Sequence, residues 1–273
     1  MPVIAMTREM GSRSGEVARR LAEEMGLRVA LQGPVAHDAA PRAHALAGSL
    51  SDFFGSGVWR SRHDGTESTT RATAEEVFQL ARRGNVVIRG WSVCVLLRDV
   101  PHVARVRVCA PREQRKRTVM QRRALPDWEA AQREIERDDD AHTRTLQARL
   151  GADRNDPLLY DLVLNTERIS IATCVRLIRE LAASLEFSET EASRAILDDK
   201  LLEVRIRCRL LERFTAGTGV SDLQVVACGG KVVLRGIAVH STLAREAGGI
   251  AGTTDGVKDV INRIEVVRAP RGL

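Results

Sequence analysis

The stretch from residue 3 to residue 26 constrains the fold more than any other part of the chain. Residues 3–6 form a short, continuously apolar run. Gly and Ser dominate the loop Gly11-Ser-Arg-Ser-Gly15, and Val17, Leu21 and Met25 then recur every four residues up to Gly26. A short unbroken apolar run reads as a strand buried on both faces, and the four-residue spacing reads as a helix that Gly26 closes at its C′ position. A buried strand that passes through a tight loop into a helix is the opening of a parallel βαβ unit. Such a loop gathers backbone N–H groups and a helix N-terminus around an anion. The consensus G-x-x-x-x-G-K-[ST] adds a lysine that reaches the outer phosphates, and here Gly15 stands where that basic residue is expected. Two readings stay open: a phosphate site built from amides, or an ordinary turn between strand and helix.

The alternation continues. Residues 73–83 read as a helix with Val77, Leu80 and Ala81 on one face and Gly84 closing it; residues 85–89, 104–109 and 162–165 read as strands. Strands separated by helical stretches predict an α/β fold, a parallel sheet with helices on both faces. Residues 32–71, rich in Gly, Ser, Ala and His, support no single assignment. A long helix ends near Leu185, and the polar stretch opening at Glu186 places a linker at 186–195. The pattern then changes. Residues 198–214 are helical, with Leu201, Val204, Cys208 and Leu211 aligned. Residues 222–228 alternate, Gly229-Gly230 signals a hairpin, and residues 231–235 return. Ser241 caps a helix through Leu243, Ala247 and Ile250, and residues 264–267 form a last strand. The order α-β-β-α-β predicts a separate small α+β domain at 196–270, beside a first domain at 1–185.

Composition narrows the function classes. Hydrophobic residues at 44% and charged residues at 29% fit a soluble globular chain, and aromatics at 3% leave Val, Leu, Ile and Ala to build the core. The formal charge of +6 is shared evenly on either side of residue 191. No basic tail is present, so nucleic acid is not an expected partner. Five cysteines without a C-x-x-C pair, four of them in apolar runs, predict buried reduced thiols. The absence of a leader-like segment or a long apolar window predicts a cytoplasmic protein with no transmembrane segment. His37, His44, His63 and His142 have no metal spacing, so no metal site is expected. His142 follows the acidic run 138–140 and reads either as phosphate-facing or as a surface histidine.

Two further segments carry chemistry. The run 112–123 holds Arg112, Arg115, Lys116, Arg117, Arg122 and Arg123 against Glu113. Arginines on a closing segment neutralise a transferred phosphoryl group; the rival reading is a solvated helix face balanced by the acids at 127–140. In residues 156–166 a Leu-Val-Leu strand ends in Asn165-Thr166 at the sheet edge where open α/β folds bind ligands. Tyr160 and Asp161 read as capping and packing residues.

Taken together, Met6-Thr-Arg-Glu-Met-Gly-Ser12, Gly84-Asn-Val-Val-Ile-Arg-Gly90, Val106-Arg-Val-Cys-Ala-Pro111 followed by Arg115, and Leu159-Tyr-Asp-Leu-Val-Leu-Asn-Thr166 resemble the cytidylate kinase-like family of P-loop proteins across roughly residues 1–180. The resemblance implies a nucleoside-monophosphate-kinase fold that passes the γ-phosphoryl of Mg²⁺-ATP to a nucleotide such as CMP. It implies nucleotide binding by Gly11, Ser12, Arg13, Ser14, Gly15, Glu16, Arg89 and Asn165, with Arg13, Arg115 and Arg123 as catalytic cations and Arg89 approaching the acceptor. Ser14 replaces a family glycine and Gly15 the family cation. Losing one positioned donor costs on the order of 10²–10³ in rate, so a catalytically weak nucleotide sensor, or an interaction protein, is the alternative expectation. Asp198-Asp-Lys-Leu-Leu202, Val232-Val-Leu-Arg-Gly236 and Asp255-Gly-Val-Lys-Asp-Val-Ile-Asn262 resemble a BON domain. That implies a module without catalytic residues that binds a ligand or a protein partner.

Overall fold

Runs of Val, Ile and Ala give five short strands: β1 (Val3–Thr7), β2 (Arg28–Leu31), β3 (Val86–Gly90), β4 (Val103–Cys109) and β5 (Leu162–Asn165). All neighbours pair in parallel, in the order β2-β3-β1-β4-β5. The computed structural model describes residues 1–31, 74–125, 127–214 and 218–267. Residues 32–71, with His37, His44 and His63, therefore lie outside the described residues.

Parallel strands need crossovers, and helices supply them on both faces. These are α1 (Ser14–Met25), α2 (Ala74–Arg83), α3 (Val93–Leu96), α4 (Arg112–Arg123), α5 (Trp128–Leu150) and α6 (Ile171–Ala183). On one face Ile4 and Met6 of β1, with Val87, Val106 and Leu164, meet Val17 and Leu21 of α1 and Val175 and Ile178 of α6. Each large aliphatic buried in that layer contributes about 1.5–3 kcal/mol. On the other face α2 packs on β3, and α3 on β1 and β3. Helix α4 packs on α5 through Val119, Ala131 and Ile135, with Met10 at the edge of the cluster.

The chain divides into a second compact unit after Arg194. Helix α7 (Glu191–Arg213) leads to β6 (Val220–Cys228), β7 (Lys231–Ala238), α8 (Ser241–Gly252) and β8 (Asp259–Val266). Strand β7 is central, antiparallel to β6 and parallel to β8. Leu202, Ile206, Leu210 and Phe214 of α7 pack on Leu223, Val225, Val232 and Leu234. Both hairpin glycines have positive φ, 59° and 84°, as the tight two-residue turn requires. Their N–H groups donate to the Asp199 carboxylate at 3.0 and 3.4 Å.

The α/β class and the α-β-β-α-β order are those the sequence predicts; several boundaries differ. Helix α7 starts at Glu191 rather than Asp198. Thr190 and Ser193 form a reciprocal cap, each side-chain oxygen accepting the other's backbone N–H at 3.1 and 2.9 Å, and this starts the helix inside the expected linker. Ser241 is the first helical residue of α8, and His240 is its N-cap, without a side-chain cap bond. Strand β8 begins at Asp259, ahead of residue 264. The sequence pattern did not single out strand β2 or helix α3, each of 4 residues; β5 is as short, but its Leu-Val-Leu run marks it. Among the cysteines only Cys94 and Cys174 are buried; Cys109 and Cys208 are half-buried, and Cys228 is exposed because it falls on the outward register of β6. No described helix is long and apolar enough to cross a membrane.

Candidate functional site

Strand β1 is where the sheet changes direction, with β3 and β2 to one side and β4 and β5 to the other. In open α/β sheets ligands bind beyond the carboxyl end of such a strand. The loop from Arg8 to Arg13 occupies that place, and α1 begins directly after it.

Four contacts shape this loop. The Ser12 N–H and hydroxyl both donate to the Glu9 carbonyl, at 3.2 and 2.8 Å. The Thr166 hydroxyl, one residue past β5, donates to the Ser12 carbonyl at 2.9 Å. Gly11 takes φ +77°, and a Cβ there would stand 2.5 Å from the Arg115 carbonyl oxygen, so only glycine lets α4 come this close. Arg13 takes φ +62°, a left-handed conformation that costs a non-glycine residue about 1–2 kcal/mol. It is the N-cap of α1 and offers no side-chain cap. The N–H groups of Ser14 and Gly15 belong to the first turn, which a helix leaves without internal acceptors.

A guanidinium from another strand lies beside position 15. Arg89, near the end of β3, donates from Nη2 to Ser14 Oγ at 3.1 Å. Its guanidinium lies 3.3–3.5 Å from where a Cβ on Gly15 would stand. The Arg89 Nε is buried without a hydrogen-bond partner. Burial, then the positive fields of Arg8, Arg122 and Arg19, pull Arg89 down to about 10. Among the described residues no carboxylate is paired with it. An arginine held beside a helix N-terminus against like charges is stabilised by an anion.

The remaining expected residues fall in three places. Glu16 accepts from Arg13 Nε and Nη2 at 3.0 and 2.6 Å and also pairs with Arg122. The Arg13 hydrogen bond is the main reason its carboxyl sits below the ordinary range and Arg13 above. Arg115 is built into the fold: Nε donates to the Met10 carbonyl at 2.6 Å, and both Nη atoms donate to Asp139 at 2.8 Å. Arg123 points away to Glu134 on α5. Asn165 accepts the Glu167 N–H at 3.0 Å, closing the turn after β5.

Behind the loop lies a mostly buried ion cluster. Glu9 is 3.5 Å from Arg115, 3.0 Å from Arg154 and 4.0 Å from Arg107, and Arg154 also reaches Asp139 at 3.1 Å. Burial raises the Glu9 carboxyl despite these three arginines. For Asp139 burial is the largest single influence, but the hydrogen bonds and charges of Arg115 and Arg154 together outweigh it, and its carboxyl is lowered. Neighbouring Asp138 is pushed up to about 6, chiefly by burial. His142 is enclosed beside Asp138 at 3.7 Å and the Trp91 ring, rather than on the surface. Tyr160 donates to the Arg154 carbonyl at 2.8 Å, and Asp161 grips Arg105.

This donor set matches a phosphate better than a divalent cation. Ser14 Oγ already faces a guanidinium, and Glu16 is held between two others. Among the described residues no three His, Cys, Asp or Glu side chains converge on a metal position. The sequence pattern did not single out Glu9, Asp139 or Arg154, and it gave Arg122 and Thr166 only as members of the basic run and of the strand end. Arg122 carried one further signal, its two-turn spacing from Arg115 on one face of α4.

Residues 3–168 match the model of the cytidylate kinase-like family, and residues 198–268 match that of the BON domain. No curated protein matches the chain. Among solved structures it is similar to an uncharacterized protein from Eubacterium ventriosum ATCC 27560, at 18% identity over 66% of this chain and 97% of that one, with a TM-score of 0.49. It is also similar to shikimate kinase from Acinetobacter baumannii in complex with shikimate, at 12% identity over 69% and 96% of the two chains, with a TM-score of 0.35. With the first match spanning more than half of its length, the chain belongs to the cytidylate kinase-like family.

Proposed function

We propose that the first unit binds the phosphates of ATP or ADP on the loop between β1 and α1. In this reading Arg89 supplies the positive charge that a P-loop takes from the residue at position 15, and phosphoryl transfer to a nucleoside monophosphate such as CMP is slow. The observation that carries the reading is the Arg89 guanidinium lodged against Ser14 and Gly15 without a carboxylate partner among the described residues. Slow turnover follows from the other cations. Arg115 is committed to Met10 and Asp139, Arg123 to Glu134, and Arg13 to Glu16. Magnesium would arrive on the nucleotide, since Glu16 is engaged by arginines. The second unit is proposed as a binding module for a ligand or protein partner, with no part in the chemistry.

The test is calorimetric titration with ATP and ADP, with and without magnesium, together with ADP release in the presence of CMP, dCMP, UMP or AMP. Nucleotide binding is expected, with turnover well below the roughly 1–100 s⁻¹ of ordinary kinases. Failure to bind either nucleotide overturns the reading. Turnover within that range overturns its second half.

A further inference from the structure

Helix α4 presents two arginines two turns apart on the face toward the loop, and they are held in opposite ways. The Arg115 side chain is 6% exposed and makes three hydrogen bonds, to Met10 and Asp139. The Arg122 side chain is 49% exposed and pairs with Glu16, which is 31% exposed and shared with Arg13. Moving Arg115 would strand buried carboxylates at Glu9 and Asp139, a costly event. Releasing Arg122 costs little, because half-exposed ion pairs are weak and the freed groups are solvated.

We infer that Arg122 is the α4 arginine that engages the ligand's phosphate, and that Glu16 holds it in the free protein as an internal anion which the phosphate displaces. The inference rests on nucleotide binding at the β1–α1 loop as proposed above. Three features carry it. Glu16 sits in the first turn of α1, one residue after Gly15, whose Cβ position the Arg89 guanidinium adjoins. The positive charge of Arg122 bears on Arg89, and Arg122 pairs with Glu16 in the turn that Arg89 adjoins at Gly15. Glu16 brings a single carboxylate to share between two arginines, whereas a terminal phosphate brings up to two charges and three oxygens and can take an arginine through two parallel hydrogen bonds. The ligand class that releases Arg122 is therefore a phosphate dianion. A nucleoside or a carboxylate does not release it. Arg122 is the contact residue; Glu16 is a positioning residue that acts through it.

The experiment titrates ADP into the full chain carrying Glu16→Gln, Arg122→Gln, both changes, or Arg123→Gln. All three side chains are substantially exposed, and melting curves confirm that each of the four variants folds. Arg122→Gln is expected to weaken ADP by about 10-fold or more, the scale of a charge-assisted hydrogen bond. Glu16→Gln is expected to tighten ADP by about 2- to 5-fold, the range an exposed ion pair withholds, and the gain is expected to vanish in the double variant. A purely structural Glu16 would not give tighter binding that depends on Arg122. If the natural protein binds ADP and Glu16→Gln does not tighten it, or if Arg123→Gln costs as much as Arg122→Gln, the inference falls while nucleotide binding stands. If neither the natural protein nor Glu16→Gln binds ADP, both fall.

Discussion

Replacing Arg89 with Met separates the stability of the free protein from its ability to bind phosphate. Methionine keeps an unbranched stem of similar reach and removes the charge. Burial, Arg8, Arg122 and Arg19 depress Arg89 from 12.5 to about 10. At 1.36 kcal/mol for each pKa unit, the charged form costs the folded protein about 3 kcal/mol, and solvent around this half-buried group reduces that to about 1–2 kcal/mol. The sign is that of a cation with a lowered folded pKa. The cost is fully present below pH 10, where Arg89 is protonated folded and unfolded, and fades only as pH rises above that. Against it stands the lost hydrogen bond to Ser14 Oγ, about 1 kcal/mol. The balance predicts a free protein that is unchanged or up to about 1 kcal/mol more stable, a rise in Tm of about 0–4 °C for a unit of this size. ADP binding is predicted to weaken by about 10- to 100-fold, the worth of a hydrogen bond to a charged group. Thermal melts with and without ADP read both effects at once. A variant that melts well below the natural protein and still gains the full ADP shift would refute the placement of Arg89 as the phosphate cation.

Three other outcomes follow from the same geometry. Gly15→Lys, which restores the P-loop cation, puts a side chain where the Arg89 guanidinium lies 3.3 Å away; two unit charges 4 Å apart at an effective dielectric of 20 repel by about 4 kcal/mol. Gly15→Lys should therefore lower Tm and weaken ADP, and should recover binding only when combined with Arg89→Met, as titration of single and double variants will read. Arg115→Met leaves Asp139 and Glu9 short of a buried partner and should cost about 3–5 kcal/mol in denaturant unfolding; a loss of activity with unchanged stability would return Arg115 to a phosphate role. Asp138, pushed up to about 6 by burial, carries a charge penalty above pH 6 that fades as pH falls toward its ordinary value. Asp138→Asn should raise Tm by several degrees at pH 7.5 and by less at pH 4.5, and an equal gain at both would contradict the burial argument.

Local order was legible, and long-range convergence was not. The β1–α1 segment announces itself because continuous apolar residues and four-residue spacing are local patterns, and Gly26 ends α1 at φ +64° as its position in the sequence requires. The different settings of Arg122 and Arg123 were legible in principle, since helical spacing places Arg115 and Arg122 on one face and turns Arg123 toward α5. Nothing local in the sequence links Arg89 to Ser14, Thr166 to Ser12, or Arg154 to Glu9, which lie 75, 154 and 145 positions apart. Those contacts exist because parallel pairing brings the carboxyl ends of β1, β3, β4 and β5 to one edge. The surroundings of position 15 were hidden for the same reason: the sheet brings a guanidinium beside it from a neighbouring strand.

How the cations are held bears on what the site can do with a phosphate. Rate acceleration needs interactions that strengthen as charge moves in the transition state; contacts equally good in ground and transition states tighten binding without raising kcat. Arg89 is fixed at the base of the loop by Ser14 and by the small size of Gly15, so on the proposed reading it would meet the phosphates before and during any transfer alike. Arg115 is spent on holding the loop and α5. Arg122 alone among the three is held loosely enough to change partners. On the proposed reading, a loop with one fixed cation and one displaceable cation would grip an anionic ligand and couple α4 to its presence, while leaving few groups free to follow developing charge. Such an arrangement favours recognition over turnover.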